Sequence, residues 1–391
     1  MPQAPCQQCS QEIEFSQELL GQEVDCPVCG ARTTLNGATV PSVRIPANVP
    51  RGAFFQGEQP SGESSEQKAD AESPSGVAAV ARKIIDNVEQ VIIGKRTEIT
   101  LAMTAYFAEG HILLEDVPGV AKTMLARAIA QSVGCSFKRL QCTPDLLPTD
   151  ITGASVFNPK TAEFEFRAGP LFAQIVLADE INRATPRTQA ALLEAMSERQ
   201  VTVDGTNYEL KRPFLILATQ NPIDHEGTFP LPEAQLDRFQ ARLSLGYPDH
   251  GEEVRMLERL QFRHPIETLA AVVTADEVIA GQQAVREIEV DEKVRDYVVR
   301  IIRATREHQA VSLGASPRAA MALFRAAQAL AAINGDNFVY PDHVKQVAAT
   351  VLAHRLIIRP ESRLRKVTGA AVLAQVIDQV AVPTLPGGGA G

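Results

Sequence analysis

Residues 111–123 read His-Ile-Leu-Leu-Glu-Asp-Val-Pro-Gly-Val-Ala-Lys-Thr. The apolar run from Ile112 to Glu115 predicts a short buried strand, and the turn after it leads into a helix that opens at Lys122. A strand end, a turn with inward backbone N–H groups and a helix N-terminus together make a phosphate-binding loop. We therefore predict that Lys122 reaches the β- and γ-phosphates of a nucleotide and that the Thr123 hydroxyl binds Mg²⁺.

This stretch departs from the G-x-x-x-x-G-K-[ST] spacing at two positions. Asp116 and Ala121 stand where the two glycines belong. On this pattern alone, an ordinary strand-to-helix turn of an α/β domain is an equally good interpretation. The choice between the two depends on motifs later in the chain.

Two carboxylates follow a second apolar run. Ile175-Val-Leu-Ala178 predicts a buried strand that leads directly into Asp179 and Glu180. In a parallel sheet this strand ends at the same edge as the phosphate loop. Asp179 is then placed to hold Mg²⁺, and Glu180 to orient and deprotonate the attacking water. Acidic caps on an ordinary strand are the alternative, which the pairing with Lys122-Thr123 makes much weaker.

A third buried strand is predicted at Phe214-Leu-Ile-Leu-Ala218, and Asn221 comes just after it. The Asn221 side chain is a candidate to hydrogen-bond the water or the γ-phosphate. Strands and helices alternate up to Tyr247, which predicts an α/β nucleotide-binding core with a parallel sheet over residues 77–247. Residues 248–383 have a helical pattern apart from connecting turns, and the glycine-rich tail 384–391 is expected to be disordered.

Four of the six cysteines lie in the first thirty residues. Cys6, Cys9, Cys26 and Cys29 form two C-x₂-C pairs separated by sixteen residues. This spacing predicts a structural Zn²⁺ site with four thiolate ligands in a small zinc-ribbon-like module, residues 1–31. Disulfides or free thiols are the alternative. The polar residues 32–76 predict a flexible linker, because they cannot bury enough apolar surface to offset their ordering entropy.

Composition limits the class of protein. The apolar fraction is 45%, the charged fraction is 22% and the net charge is −9, which is typical of a soluble globular protein and argues against a broad nucleic-acid-binding surface. No apolar run approaches the ~20 residues of a membrane span, and the polar N-terminus lacks a signal segment. A cytoplasmic protein of two to three domains is expected. Cys135 and Cys142 are expected to be small core residues.

Three stretches resemble the MoxR family of AAA+ ATPases. They are Leu177-Ala-Asp-Glu-Ile-Asn-Arg-Ala184, Ala218-Thr-Gln-Asn-Pro222 and Gly227-Thr-Phe-Pro-Leu-Pro-Glu-Ala-Gln-Leu-Asp-Arg-Phe239. The resemblance covers residues 77–382 and includes Val-Pro-Gly-Val-Ala-Lys-Thr as an accepted phosphate loop. It implies a five-stranded αβα core with helix-2 and pre-sensor hairpin inserts, a helical lid, and a hexameric ring with nucleotide at subunit interfaces.

The resemblance also implies residue roles. Asn221 is similar to sensor 1, Arg318 to sensor 2, and Arg238 to the arginine finger that reaches a neighbouring subunit's γ-phosphate; a surface ion pair is the alternative for Arg238. Arg183 is a second candidate for such a contact, and Gly94 lies in a segment that resembles the stretch packing on adenine. The nucleotide-contacting loop implied by the family consists of Asp116, Val117, Pro118, Gly119, Val120, Ala121, Lys122 and Thr123.

The predicted function is Mg²⁺-dependent ATP hydrolysis that remodels or activates a protein client, in a chaperone-like way. The resemblance implies a partner with a von Willebrand factor A domain. A nucleic-acid motor is the alternative, since zinc ribbons can bind DNA or RNA, although the acidic total and the lack of Lys and Arg in residues 1–30 weigh against it. An adaptor that binds nucleotide without turnover is a third possibility, which the presence of Lys122, Asp179, Glu180 and Asn221 disfavours.

Overall fold

A computed structural model describes residues 3–5, 12–14, 23–25, 29, 32–34, 74–222, 227–260 and 264–384. The chain divides into two units, Met1–Pro60 and Ser61–Gly391. Most of the predicted linker and nearly all of the predicted tail lie outside the described residues. None of the helices in the described ranges is long and apolar enough to cross a membrane.

The first unit contains two short antiparallel hairpins. Strand β1 (Gln3–Pro5) pairs with β2 (Glu12–Glu14), and β3 (Glu23–Asp25) pairs with β4 (Arg32–Thr34). One predicted C-x₂-C pair falls between the strands of each hairpin. Cys6, Cys9 and Cys26 themselves lie outside the described residues, so the predicted zinc site is not tested by the structure.

The second unit begins with the predicted α/β core. Its helices are α1 (Pro74–Val88), α2 (Arg96–Phe107), α3 (Lys122–Val133), α4 (Pro148–Thr152), α5 (Pro186–Glu198) and α6 (Glu233–Leu236). Its strands are β5 (Ile112–Glu115), β6 (Phe137–Gln141), β7 (Gly153–Asn158), β8 (Glu163–Ala168), β9 (Ile175–Asp179), β10 (Gln200–Val203), β11 (Thr206–Glu209), β12 (Leu215–Gln220) and β13 (Ala241–Leu243).

Five of these strands form one parallel sheet in the order β13-β5-β12-β9-β6, which confirms the predicted fold class. Side chains of β5 alternate between two hydrophobic cores: Ile112 and Leu114 face one, and Leu113 faces the other. Both faces of the sheet are therefore covered, as a parallel sheet requires. Because β5, β9 and β12 run in the same direction, their carboxyl ends meet at one edge.

Two hairpins project from this core as the predicted inserts. The hairpin β7–β8 pairs Gly153 with Ala168, and β10–β11 closes through the Asp204-Gly205 turn. The rings of Phe166 and Tyr208 stack at 4.2 Å and join the two hairpins. Of the two remaining cysteines, Cys142 is buried and Cys135 is half-buried, in line with their predicted place in the core.

Residues 250–379 form the helical lid. Its helices are α7 (His250–Leu260), α8 (Ala275–Glu287), α9 (Glu292–Glu307), α10 (Pro317–Asn334), α11 (Pro341–Leu352), α12 (Pro360–Leu364) and α13 (Gly369–Gln379). The prediction of turns alone between lid helices is wrong at one point. Strands β14 (Val311–Leu313) and β15 (Ile357–Ile358) pair antiparallel across more than forty residues of sequence, and strands this short leave no clear apolar period.

A buried histidine connects the sheet to a helix. The Ile216 N–H donates to His111 Nδ1 at 3.0 Å, so the Nε2 atom carries the proton and donates to the Met196 carbonyl at 3.0 Å. Burial is the main cause that lowers the pKa of His111 to about 4, with a smaller contribution from the Arg199 charge; the Met196 carbonyl partly offsets both. His111 is therefore neutral in the folded chain.

We expect the folded chain to lose stability as the pH falls from 7 to 5. The unfolded chain protonates His111 near its ordinary pKa of 6.5, whereas the folded chain does not until about 4, so lowering the pH favours unfolding. The contribution between pH 7 and 5 is on the order of 2 kcal/mol, measurable by urea unfolding. His111→Asn keeps an acceptor for the Ile216 N–H and should reduce this dependence by that amount, while the buried His354, whose pKa burial also lowers, keeps its own contribution.

The exposed His250 provides the matched control, because His250→Gln should leave the pH dependence of the unfolding free energy unchanged. A pH dependence that is the same in the wild type and in His111→Asn would contradict the assignment of a neutral, buried His111.

Candidate functional site

A cavity of 360 Å³ lies at the edge where the parallel strands end. It is lined by Pro118, Gly119, Ala121, Lys122, Thr123, Met124, Asp179, Glu180, Thr219 and Asn221. The structure thus brings together the predicted lysine, hydroxyl, two carboxylates and amide. They come from three separate segments of chain, which meet because β5, β9 and β12 are neighbours in the sheet.

The turn before α3 has the shape that anion binding needs. Ala121 has φ 59° and ψ 22°, a left-handed conformation that glycine adopts more easily, and the next residue opens the helix. The Lys122 Nζ atom donates to the Asp116 carbonyl at 2.6 Å, across the mouth of the turn. With the amino end of α3 pointing into the cavity, the turn can hold phosphate oxygens by backbone N–H groups and by the ammonium group.

Asp179 is held on both carboxylate oxygens. Its Oδ1 accepts from the Thr219 hydroxyl at 2.6 Å, and its Oδ2 accepts from Arg139 at 2.6 and 3.1 Å. The Thr219 hydroxyl also accepts from the Glu180 N–H at 2.8 Å. Thr219 therefore fixes both acidic residues relative to the neighbouring strand.

Glu180 has a left-handed backbone, with φ 56° and ψ 51°. Such a conformation costs about 1 kcal/mol for a residue other than glycine and is concentrated at functional sites. Its Oε2 accepts from Gln141 Nε2 at 3.1 Å and lies 3.4 Å from Arg183. Arg183, the weaker candidate for a contact with a neighbouring subunit, thus lies beside the carboxylate of its own chain.

Sequence reasoning missed three of these residues. Arg139 and Gln141 lie on β6, and an Arg139 Nη also donates to Gln141 Oε1 at 2.8 Å. Polar side chains on a strand beside Asp179-Glu180 were a usable signal. Thr219 precedes Asn221 by two residues at the end of β12, and only the structure shows that its hydroxyl links Asp179 to Glu180.

The oxygen donors fit a hard divalent cation. The Thr123 hydroxyl and the Asp179 carboxylate both line the cavity, and Mg²⁺ prefers such ligands together with phosphate oxygens. These two residues would hold Mg²⁺, which would neutralise phosphate charge when bound. In the described conformation the Arg139 guanidinium supplies the positive charge next to Asp179.

A second cavity of 280 Å³ adjoins the first and shares Gly119 and Ala121 with it. Its other lining residues are Val91, Ile92, Ile93, Lys95, Val120, Leu245, Gly246, Tyr247, Pro248, Glu252, Glu253 and Met256. The mixture of apolar walls and a few polar groups suits a flat heterocyclic base. The sequence reasoning identified only the segment around Gly94 and missed Tyr247 and α7.

Gly94 does not line the cavity, but its lack of a side chain leaves space for Glu252, which does. A Cβ atom at Gly94, whose φ is 75°, would lie 1.7 Å from Glu252 Oε1. Asp116 and Val117 are likewise absent from the residues that line either cavity. The Asp116 carboxylate instead accepts from the backbone of residues 245 and 246, and a contact of this residue with nucleotide stays a prediction.

The two predicted arginines lie away from the phosphate cavity of their own chain. Arg238 donates to the Leu193 carbonyl at 3.2 Å and makes a short contact with the Ser197 hydroxyl. Arg318 is exposed at the start of α10, and its charge helps lower the pKa of the nearby Arg355. Neither is among the residues lining the 360 Å³ cavity, so the structure does not bring them together with Lys122.

A seam of hydrogen bonds connects the residues beside Arg238 to the lid. The Asp237 carboxylate accepts from the Ser316 hydroxyl at 3.0 Å and lies 3.0 Å from Arg355 Nε. Arg355 also donates to the Phe239 carbonyl at 2.7 Å. Arg355 is buried, which is the main cause that lowers its pKa to about 10 against the opposing effect of Asp237. We call this set the Asp237–Arg355 seam.

Comparison with known proteins gives matches over most of the second unit. Residues 111–241 match a family profile described as the ATPase family associated with various cellular activities (AAA), and residues 303–376 match the AAA lid domain. The chain is 48% identical over 301 residues to the uncharacterised protein YeaC of Bacillus subtilis, covering 77% of this chain and 94% of that protein.

Two further similarities extend this result. The chaperone MoxR1 of Mycobacterium tuberculosis is 37% identical over 342 residues, covering 84% of this chain and 90% of that protein. The crystal structure of a protein from Cytophaga hutchinsonii, described as a candidate ATPase, superposes with a TM-score of 0.75 at 34% identity and covers 82% of this chain and 98% of the other.

Proposed function

We propose, since this chain belongs to the MoxR family of AAA+ ATPases, that it uses Mg²⁺-dependent ATP hydrolysis to remodel or activate a protein client. The observation that carries the proposal is the convergence of Lys122, Thr123, Asp179, Glu180 and Asn221 on one cavity beside a base-sized pocket. The relative from Mycobacterium tuberculosis is named a chaperone, which supports a protein as the client. No observation on the described residues favours the nucleic-acid motor.

The residues divide the work by position. The Lys122 ammonium and the N–H groups at the start of α3 bind and orient the phosphates. Glu180 takes the proton from the attacking water, while Asn221 positions the water or the γ-phosphate from the end of the adjacent strand. The Gln141 amide holds the Glu180 carboxylate at 3.1 Å, so the base is oriented before substrate arrives.

The activity is tested by measuring phosphate release from ATP with the purified full-length chain, with Mg²⁺ and with excess chelator, over a range of protein concentrations. We expect Mg²⁺-dependent turnover that Lys122→Ala removes. Absence of both ATP binding and turnover at every concentration would reject the proposal.

The proposal also includes assembly into a hexameric ring and a specific kind of partner protein. A hexameric ring is supported by family membership and by the position of Arg238 and Arg318 away from their own cavity. A von Willebrand factor A domain partner follows from the resemblance alone. Glu180→Gln chain loaded with ATP should retain such a partner from the native cell extract, and ADP-loaded chain should release it; retention of other proteins only would reject this partner.

A zinc-ribbon-like module in residues 1–31 is also part of the proposal. The two described hairpins support it, because in the sequence one C-x₂-C pair lies between the two strands of each hairpin, and four thiolates are the usual ligands of a structural zinc ion. A site of four reduced thiolates would close off the metal and serve folding or docking, and it fits a reducing compartment such as the cytoplasm.

We expect one zinc ion per purified chain, detected by elemental analysis. The double variant Cys9→Ser/Cys26→Ser should abolish stoichiometric zinc, because it leaves only two of the four thiolate ligands of the closed tetrahedral site. The matched control is Cys135→Ala, which removes a thiol from the core and should keep the zinc. A wild-type chain that contains no zinc after purification in its presence would contradict the module.

A further inference from the structure

The Asp116 carboxylate, at the first of the two positions that depart from the glycine pattern, has four hydrogen-bond donors around it. Its Oδ1 accepts from the Val117 N–H at 2.9 Å. Its Oδ2 accepts from the Leu245 N–H at 2.6 Å, from the Gly246 N–H at 2.7 Å and from the Ser244 hydroxyl at 3.1 Å. Asp116 is only 7% exposed, so these bonds are largely shielded from water.

The backbone of Asp116 is fixed as well. Its N–H donates to the Gln220 carbonyl at 3.2 Å, which extends the pairing of β5 with β12. Its carbonyl accepts from Lys122 Nζ at 2.6 Å. One residue therefore joins the central sheet, the phosphate-binding lysine and the segment 244–246.

The segment that Asp116 holds forms part of the second cavity. Leu245 and Gly246 line that cavity, and Tyr247 and Pro248 continue its wall toward α7. The phosphate turn lies on the other side of the same carboxylate, and its residues Gly119 and Ala121 border both cavities. Asp116 therefore connects the strand that leads into the phosphate turn to the segment that lines the second cavity.

The two departures from the glycine pattern differ in kind. Ala121 adopts a left-handed conformation that glycine would adopt with less strain. A glycine in place of Asp116 would lose all four bonds to its carboxylate and leave the buried Leu245 N–H without its partner. Aspartate at this position therefore makes hydrogen bonds that the glycine of the usual pattern could not make.

We propose that Asp116 is a positioning residue that holds the base pocket in register with the phosphate turn, so that both ends of one nucleotide bind at once. The inference rests on the proposed ATP-binding function and adds to it the residue that makes the site selective for the base. Charge-assisted hydrogen bonds to backbone N–H groups are strong enough for this purpose and fix geometry as well as energy.

The test compares ADP with CDP, which carry the same phosphates but differ in the base. Calorimetric titration of the full-length chain in the presence of Mg²⁺ gives both affinities. Asp116→Gly should weaken ADP binding by about 10- to 100-fold, the range expected for lost charge-assisted bonds, and weaken CDP binding much less. The preference for ADP over CDP should therefore fall, which general destabilisation of the fold would not cause.

Asp116→Asn is the second variant if the glycine variant does not fold. An amide has only one acceptor oxygen, so whichever way it is placed it loses the negative charge and turns an NH2 group toward donors on one side. The preference should therefore fall in the same direction, by a smaller factor. The matched control is Glu115→Gln. Glu115 precedes Asp116, and its carboxylate lies 2.8 Å from Arg242, so it links β5 to β13. It is not among the residues that line the base pocket. The Glu115→Gln variant should therefore prefer ADP over CDP as strongly as the wild type does.

Equal losses for ADP and CDP, or an unchanged ADP affinity in both Asp116 variants, would overturn the inference. A wild-type chain that binds the two nucleotides equally would overturn it too, because the pocket would then not read the base. A wild-type chain that binds neither would instead reject the proposed ATPase function, so the two failures are distinguishable.

Discussion

Replacing Glu180 by glutamine is expected to lower the rate of ATP hydrolysis by about 10²- to 10⁴-fold, the usual contribution of a general base, while ATP binding is retained. Glutamine has the same shape and still offers an oxygen to Gln141 Nε2, but it cannot take a proton from water. Turnover is measured by phosphate release and binding by equilibrium titration. The combination of low turnover and normal affinity separates a catalytic role from a folding role.

The matched control is Glu287→Gln, which makes the same change at an exposed position on α8 of the lid. The Glu287→Gln variant should hydrolyse ATP at the wild-type rate, because it keeps Glu180 as the base. Its rate should therefore exceed that of Glu180→Gln by the full contribution of the base. Unchanged turnover in the Glu180 variant would remove this residue as the base and direct attention to the other carboxylate, Asp179.

Replacing Arg238 by alanine is expected to lower turnover by about 10³- to 10⁵-fold, the range for an arginine that stabilises transition-state charge from a neighbouring subunit. Nucleotide affinity should change little, because in its own chain the guanidinium bonds to Leu193 and Ser197 rather than to the cavity. The measurement is again phosphate release, together with the size of the assembly.

Mixing two inactive variants tests whether the contact crosses a subunit boundary. An Arg238→Ala subunit keeps an intact nucleotide site, and a Lys122→Ala subunit keeps the arginine. Mixed assemblies should regain part of the activity. It should arise at interfaces where the Arg238→Ala subunit supplies the nucleotide site and the Lys122→Ala subunit supplies the arginine. A mixture that stays inactive, while the same mixture made with Arg183→Ala recovers, would assign the contact to Arg183.

Local apolar patterns were sufficient to predict the elements that build the core. The strands predicted at 112–115 and 175–178 and the helix predicted to open at Lys122 all agree with the structure, where the second strand extends one residue further, to Asp179. In each case the signal lies within one turn of helix or one strand. The edge where the carboxylates meet also followed from parallel strand direction.

What the sequence did not show depends on contacts between distant residues. The bond from Leu245 to Asp116 spans 129 positions, and Arg139 reaches Asp179 across 40. No periodicity encodes such pairs, so neither the bonds of the Asp116 carboxylate nor the place of Arg139 beside Asp179 was predicted. The short strands β14 and β15 were missed for the same reason, because their pairing is tertiary rather than local.

The Asp237–Arg355 seam couples the lid mechanically to the segment that carries Arg238. Arg238 lies between Asp237 and Phe239, and both of these residues bind the lid residue Arg355. A tilt of the lid therefore either moves Arg238 with it or breaks the seam. Separating Asp237 from the buried Arg355 would leave a charge without its counter-ion, at a cost of about 3–5 kcal/mol, whereas moving together costs none of this. Motion of the lid and motion of Arg238 are therefore expected to occur together.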